Sequence, residues 1–125
     1  EYNYKNIDIF KNIDKITGKF DIICGFGITH HLPSVDFAEK WINQVLELLT
    51  KDGVLILSFW MFEDSPGKYI LGWSSRKGVK RICKQFSEAE LLKLFSKTVL
   101  VSKFSEEPSQ KGNYNVYYML KSRQS

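Results

Sequence analysis

His30 and His31 are the only histidines in the chain. They stand in Gly27-Ile28-Thr29-His30-His31-Leu32-Pro33, where an apolar run, Phe20-Asp21-Ile22-Ile23-Cys24, gives way to polar residues. An imidazole changes charge near neutral pH and can orient a substrate or ligate a metal. Neighbouring side chains on a strand face opposite ways, so extended geometry gives the two rings two different jobs. No metal is expected. Consecutive histidines reach one small ion with difficulty, and no cysteine is spaced to help. Two accounts stand side by side: one ring caps a backbone carbonyl while the other is solvated, or one orients a substrate in a cleft.

Arg76 and Arg81 are the candidates for holding an anion. They lie between Asp64 and Glu88, a span with no acidic residue that also carries Lys68, Lys77, Lys80 and Lys84. Tyr69 and Trp73 are interleaved with these cations. Phosphates attract such cations and bases stack on such rings; a solvated basic loop explains the same pattern. Trp60 ends an apolar run at residues 54–60, at the end of a parallel strand where ligands bind; core packing is the commoner fate of a large aromatic. Asp8 falls in Asn6-Ile7-Asp8-Ile9-Phe10, where aspartate commonly forms a turn. Gly25 and Gly27 flank Phe26, but a G-x-G-x-x-G pattern would need its third glycine where His30 stands.

These residues need elements to hold them. The chain has 125 residues, 43% hydrophobic and 26% charged, with a net charge of +4. That suits a single domain over 1–125 with a real core. No apolar run approaches the roughly 20 residues of a membrane span. No secretory signal is visible, and Cys24 and Cys83 form no Cys-x-x-Cys pattern, so a reducing, cytoplasmic setting is expected. The first residue is Glu1 rather than methionine, which fits a piece of a longer protein.

Alternation over residues 4–10 predicts a short strand, and residues 13–18 a turn. The near-continuous apolar run at 20–26 predicts a strand buried on both faces. Ala38, Ile42, Val45 and Leu49 recur with helical spacing, predicting a helix over 35–50. Lys51-Asp52-Gly53 should end it, with the glycine left-handed. Residues 54–60 then form a strand parallel to the first. Residues 61–85 show no periodicity and read as a loop insertion on the substrate side. Ser87 and Glu90 make a capping box for a second helix. Strands at 98–104 and 114–120 close the chain as an antiparallel hairpin.

In this order the chain resembles the C-terminal half of a class I S-adenosylmethionine-dependent methyltransferase. The resemblance rests on Phe20-Asp21-Ile22-Ile23, His30-His31-Leu32-Pro33, Leu48-Leu49-Thr50-Lys51-Asp52-Gly53 and the terminal hairpin. It implies an α/β, Rossmann-like methyltransferase fold whose mostly parallel sheet ends in an antiparallel hairpin. Ile28-Thr29-His30-His31, Ser58-Phe59-Trp60, Tyr69-Ile70-Leu71-Gly72-Trp73 and Arg81-Ile82-Cys83-Lys84-Gln85-Phe86-Ser87 look in addition like the tRNA wobble-uridine carboxymethyl methyltransferases and their bacterial relatives.

The resemblance implies S-adenosyl-L-methionine as cofactor and tRNA as partner, with a methyl ester as product. It places Asp8 and Ile9 at the adenine and Gly25, Phe26 and Gly27 close to the cofactor. It puts His30, His31, Trp60, Arg76 and Arg81 on the substrate side. A carboxylate is already anionic at neutral pH, so such a site must chiefly position it. The family's glycine-rich loop lies on a strand upstream of residue 20 and is missing from this sequence. A preceding segment or a complementing or activating chain then supplies it, or cofactor binding is lost. A small-molecule methyltransferase and a non-catalytic, partner-binding half-domain are the alternatives.

Overall fold

Two runs of apolar residues pair side by side to start the sheet. β1 (Phe20–Gly25) lies parallel to β2 (Leu49–Met61), with Ile22 opposite Val54 and Cys24 opposite Ile56. The computed structural model describes residues 4–63, 65–71 and 81–123. A parallel pair needs a crossover, and α1 (Val35–Leu46) provides it. Its buried positions, Ala38, Trp41, Ile42, Val45 and Leu46, form one helical stripe. Ser34 caps it by accepting a hydrogen bond from the Phe37 amide at 3.1 Å.

The helix stops at Leu46, short of the expected end at residue 50, because the next residues are captured by the sheet. Leu49 stands opposite Phe20, and the Phe20 amide donates to the Leu48 carbonyl at 2.7 Å. The Thr50 hydroxyl donates to the Asp21 carboxylate at 2.8 Å. The register shifts between Phe20 and Ile22, so β2 bulges there. Gly53 sits in this bulge and is not left-handed, contrary to expectation. A Cβ on it would lie 3.0 Å from the Phe20 carbonyl oxygen, so close backbone approach is what favours glycine.

The hairpin of β5 (Thr98–Ser105) and β6 (Tyr114–Ser122) is antiparallel, as expected, and β6 rather than β5 joins β2. The sheet order is β1-β2-β6-β5. Leu55, Leu57 and Phe59 of β2 and Leu120, Tyr118 and Val116 of β6 face one side, opposite one another in register. With α1 and α2 (Glu88–Leu94) they form the core. The capping box of α2 is present: Ser87 Oγ accepts from the Glu90 amide at 3.1 Å and Glu90 Oε1 from the Ser87 amide at 2.8 Å.

Three further expectations fail. The run at 20–26 is not buried on both faces: Phe20 is 42% and Ile22 62% exposed. β1 is an edge strand of the described sheet, and the face away from α1 has no layer over it among the described residues. Residues 4–10 form no strand, because Asp8 turns the chain instead. Its Oδ1 accepts from the Phe10 and Lys11 amides at 3.1 and 3.3 Å. Residues 61–85 are not simply a loop. β3 (Gly67–Leu71) pairs antiparallel with β4 (Arg81–Gln85), setting Tyr69 opposite Cys83. Among the described residues no helix is long and apolar enough to cross a membrane.

Candidate functional site

β1 ends at Gly25, and the chain turns away through Gly27, whose φ of +69° suits only glycine well. A buried tie to β2 fixes this exit. The Gly27 amide donates to Ser58 Oγ at 3.0 Å, and the Thr29 hydroxyl donates to the Ser58 carbonyl at 2.6 Å. Thr29 and Ser58 are both buried. A single 3-10 turn, Thr29–His31, follows.

That turn corrects the expectation that His30 and His31 point to opposite faces. Strand alternation does not apply to a 3-10 turn. The two rings lie with centroids 4.0 Å apart, tilted by 46°. His30 also meets Trp60 edge-on at 5.2 Å. The aromatic contacts continue from Trp60 to Phe62 at 4.4 Å and from Phe62 to Tyr69 at 5.5 Å. The end of β2 and the β3–β4 hairpin thus form an aromatic wall beside the histidines.

Gln85 holds that wall in place. Its Oε1 accepts from the Phe62 and Glu63 amides at 2.8 and 2.9 Å, and its Nε2 donates to the Glu63 carbonyl at 3.0 Å. Next to it Lys84 is buried, paired with Glu90 at 3.1 Å and lying over the Phe86 ring at 4.9 Å. This lysine is therefore not part of a solvated basic surface. Burial alone would push the Glu90 carboxyl up, but hydrogen bonds from Ser87 and Lys84 and the Lys84 charge hold it below the usual carboxylate range. Burial, with the charges of Glu88 and Tyr114, pushes the Tyr118 hydroxyl up.

Cys83 was missed by the sequence reading. It is fully buried on β4, and one donor atom from each of His30, His31 and Cys83 lies within 4.8 Å of the others. No local spacing signals this, because long-range packing, with Gln85 tying β4 to Phe62 and Glu63 after β2, brings β4 to the exit turn of β1. Of the two arginines, Arg76 lies outside the described residues. Arg81 opens β4 opposite Leu71, and its side chain is outside the described residues too.

The residues expected near a cofactor separate into two groups. Ile9 and Gly25 line one apolar cleft of about 300 Å³, together with Ile28 and Trp41. Trp41 pins the N-terminal segment there by donating from Nε1 to the Ile9 carbonyl at 2.9 Å. Gly25 is also held by packing, since a Cβ on it would stand 2.9 Å from Leu57 Cδ2. Phe26 stacks on Tyr117 at 5.8 Å, well exposed and apart from that cleft. Nothing lies within 4 Å of where a Gly27 Cβ would project. Asp8 forms its turn just before Ile9.

No family model matches the chain, and no curated protein matches it in sequence. Solved structures do match. An S-adenosylmethionine-dependent methyltransferase from Clostridium acetobutylicum ATCC 824 superposes with a TM-score of 0.63 at 15% identity, over 86% of this chain and 60% of its own. One from Methanosarcina mazei gives 0.64 at 14% identity, over 82% and 58%. The Burkholderia thailandensis 1,6-didemethyltoxoflavin-N1-methyltransferase gives 0.63 at 18% identity, over 88% and 48%. The chain has a Rossmann-like methyltransferase fold. It spans about half to three fifths of the length of these structures. In open α/β sheets ligands bind beyond the carboxyl ends of the strands, and Gly27, His30, His31 and Trp60 all gather there.

Proposed function

We propose that this chain is the substrate-side portion of an S-adenosylmethionine-dependent methyltransferase. What carries the reading is the convergence of His30, His31 and Trp60 beyond the carboxyl ends of β1 and β2, in a fold whose similar structures are named as such enzymes. Two of these, a magnesium protoporphyrin IX methyltransferase from Synechocystis and the N-methyltransferase NodS from Bradyrhizobium japonicum, are described with S-adenosylmethionine or S-adenosylhomocysteine bound.

The residues present fit part of such a cofactor. The apolar cleft at Ile9, Gly25 and Ile28 suits the adenine ring. Asp8 stands one residue from it, with one carboxylate oxygen occupied by its turn. Gly27, two residues on from Gly25, leaves open space where a Cβ would project. The cofactor supplies an electrophilic methyl group on a sulfonium. No residue of this chain is assigned to its methionine and ribose. On the substrate side, the histidine turn and the aromatic wall position the nucleophile, and Arg76 and Arg81 hold its negative charge.

We place a tRNA in that position, with the carboxymethyl group of the wobble uridine as nucleophile. Support comes from the motif resemblance, the acid-free span between Asp64 and Glu88, and an exposed Lys68 on β3. There the histidine turn, Trp60 and the two arginines would hold the carboxylate oxygen toward the bound cofactor's methyl group, and transfer would leave a methyl ester. A reducing, cytoplasmic setting goes with this reading, since Cys24 and Cys83 form no Cys-x-x-Cys pattern. The toxoflavin-type enzyme among the similar structures favours a second reading, a small-molecule methyltransferase. Labelled methyl transfer decides between them, assayed with the chain joined to its cofactor-holding segment. Label entering tRNA as an alkali-labile ester supports the first reading. Label entering only a small carboxylic acid supports the second. A stable complex with another chain and no transfer at all makes this a non-catalytic half-domain.

A further inference from the structure

We propose that His30, His31 and Cys83 form a site for a zinc-type divalent cation. One donor atom from each lies within 4.8 Å of the other two. Two elements far apart in the chain supply them, the 3-10 turn after β1 and the strand β4. Zinc takes imidazole nitrogens at about 2.0–2.1 Å and a thiolate at about 2.3 Å in a tetrahedron, which sets donors about 3.5 Å apart. Small rotations of two half-buried imidazoles close that difference.

The sequence argument against a metal rested on two points. The 3-10 turn answers the first, the reach of consecutive histidines, by setting the two rings 4.0 Å apart between centroids; the second was the lack of a nearby cysteine. The fold removes that objection: β3 pairs with β4, and Gln85 clamps β4 to the end of β2. Two imidazoles and one thiolate select zinc over magnesium or calcium, which prefer oxygen donors. The Cys83 thiol gives up its proton to solvent on binding, and the histidines bind as neutral rings. A divalent ion with one thiolate keeps one positive charge. Three protein ligands leave a fourth position open, for water or an anionic oxygen. The ion thus clips β4 to the exit turn of β1. This does not depend on the methyltransferase reading.

Titration of the reduced, metal-free chain with cobalt(II) tests it. Expected is a thiolate-to-cobalt charge-transfer absorption that saturates at one equivalent and disappears when zinc is added. Cys24→Ser should keep the absorption and Cys83→Ser should abolish it. His31→Gln should weaken cobalt binding by on the order of tenfold or more. Zinc should raise the melting temperature of the unmutated chain. Absence of the absorption in the folded chain, or its survival in Cys83→Ser, overturns the proposal. If Cys83→Ser does not fold, unchanged cobalt affinity in His31→Gln overturns it equally.

Discussion

The Thr29 hydroxyl donates a 2.6 Å hydrogen bond to the carbonyl of Ser58, across the exit of β1 and the body of β2. Both residues are buried, and His30 follows directly. This bond decides where the histidine turn stands relative to Trp60. Thr29→Val keeps the shape and leaves the Ser58 carbonyl without its donor. A cost of about 1–3 kcal/mol is expected, read by urea denaturation, with Thr29→Ser recovering most of it. An unchanged midpoint in Thr29→Val would show that the tie is incidental.

Gly25 lines the apolar cleft and also packs against Leu57. Its missing Cβ would sit 2.9 Å from Leu57 Cδ2 and 3.0 Å from Ile28 Cδ1. Gly25→Ala therefore overpacks the strand end, at an expected cost of about 1–3 kcal/mol in thermal unfolding. If stability holds and only cofactor affinity falls, close cofactor approach rather than packing explains the glycine.

Gln85 carries three hydrogen bonds to the backbone of Phe62 and Glu63. Gln85→Ala should free those groups and loosen the end of β2. Hydrogen exchange at the Phe62 and Glu63 amides should accelerate, while the amides of β6 stay protected. Uniform acceleration across both strands would mean that Gln85 supports the whole fold instead.

The Glu90 carboxyl is held below its ordinary value of 4.5 by the capping box and Lys84. A depressed carboxyl pKa means that the unfolded chain binds protons first as acid is added. Its contribution is present above the unfolded value and is lost as pH falls through the lower, folded value. Glu90→Gln should lower stability at pH 7 and flatten the decline below about pH 4.5. A parallel decline in both proteins would remove Glu90 from the acid response.

Much of this fold is legible in the residues. The spacing of Ala38, Ile42 and Val45 marks α1, the Ser87–Glu90 pair marks α2, and the short polar link after Ser105 marks an antiparallel hairpin. Each signal is local. What fails is decided by partners far along the chain. Leu49 keeps helical spacing, yet Phe20 draws it into the sheet. Residues 4–10 alternate like a strand, but no described strand pairs with them and Asp8 closes a turn. His30 and His31 look like strand neighbours and share a 3-10 turn instead. Cys83 reaches them because β4 forms in a stretch without periodicity and Gln85 ties it to the end of β2.

The central claim is that this fold holds the substrate side of an S-adenosylmethionine site. Calorimetry with S-adenosylmethionine tests it most directly, on the chain joined to the segment that carries the glycine-rich loop. Saturable binding at one cofactor per chain, weakened when the cleft is filled by Ile9→Trp, is the predicted result. No heat of binding from a folded, joined protein would contradict the account.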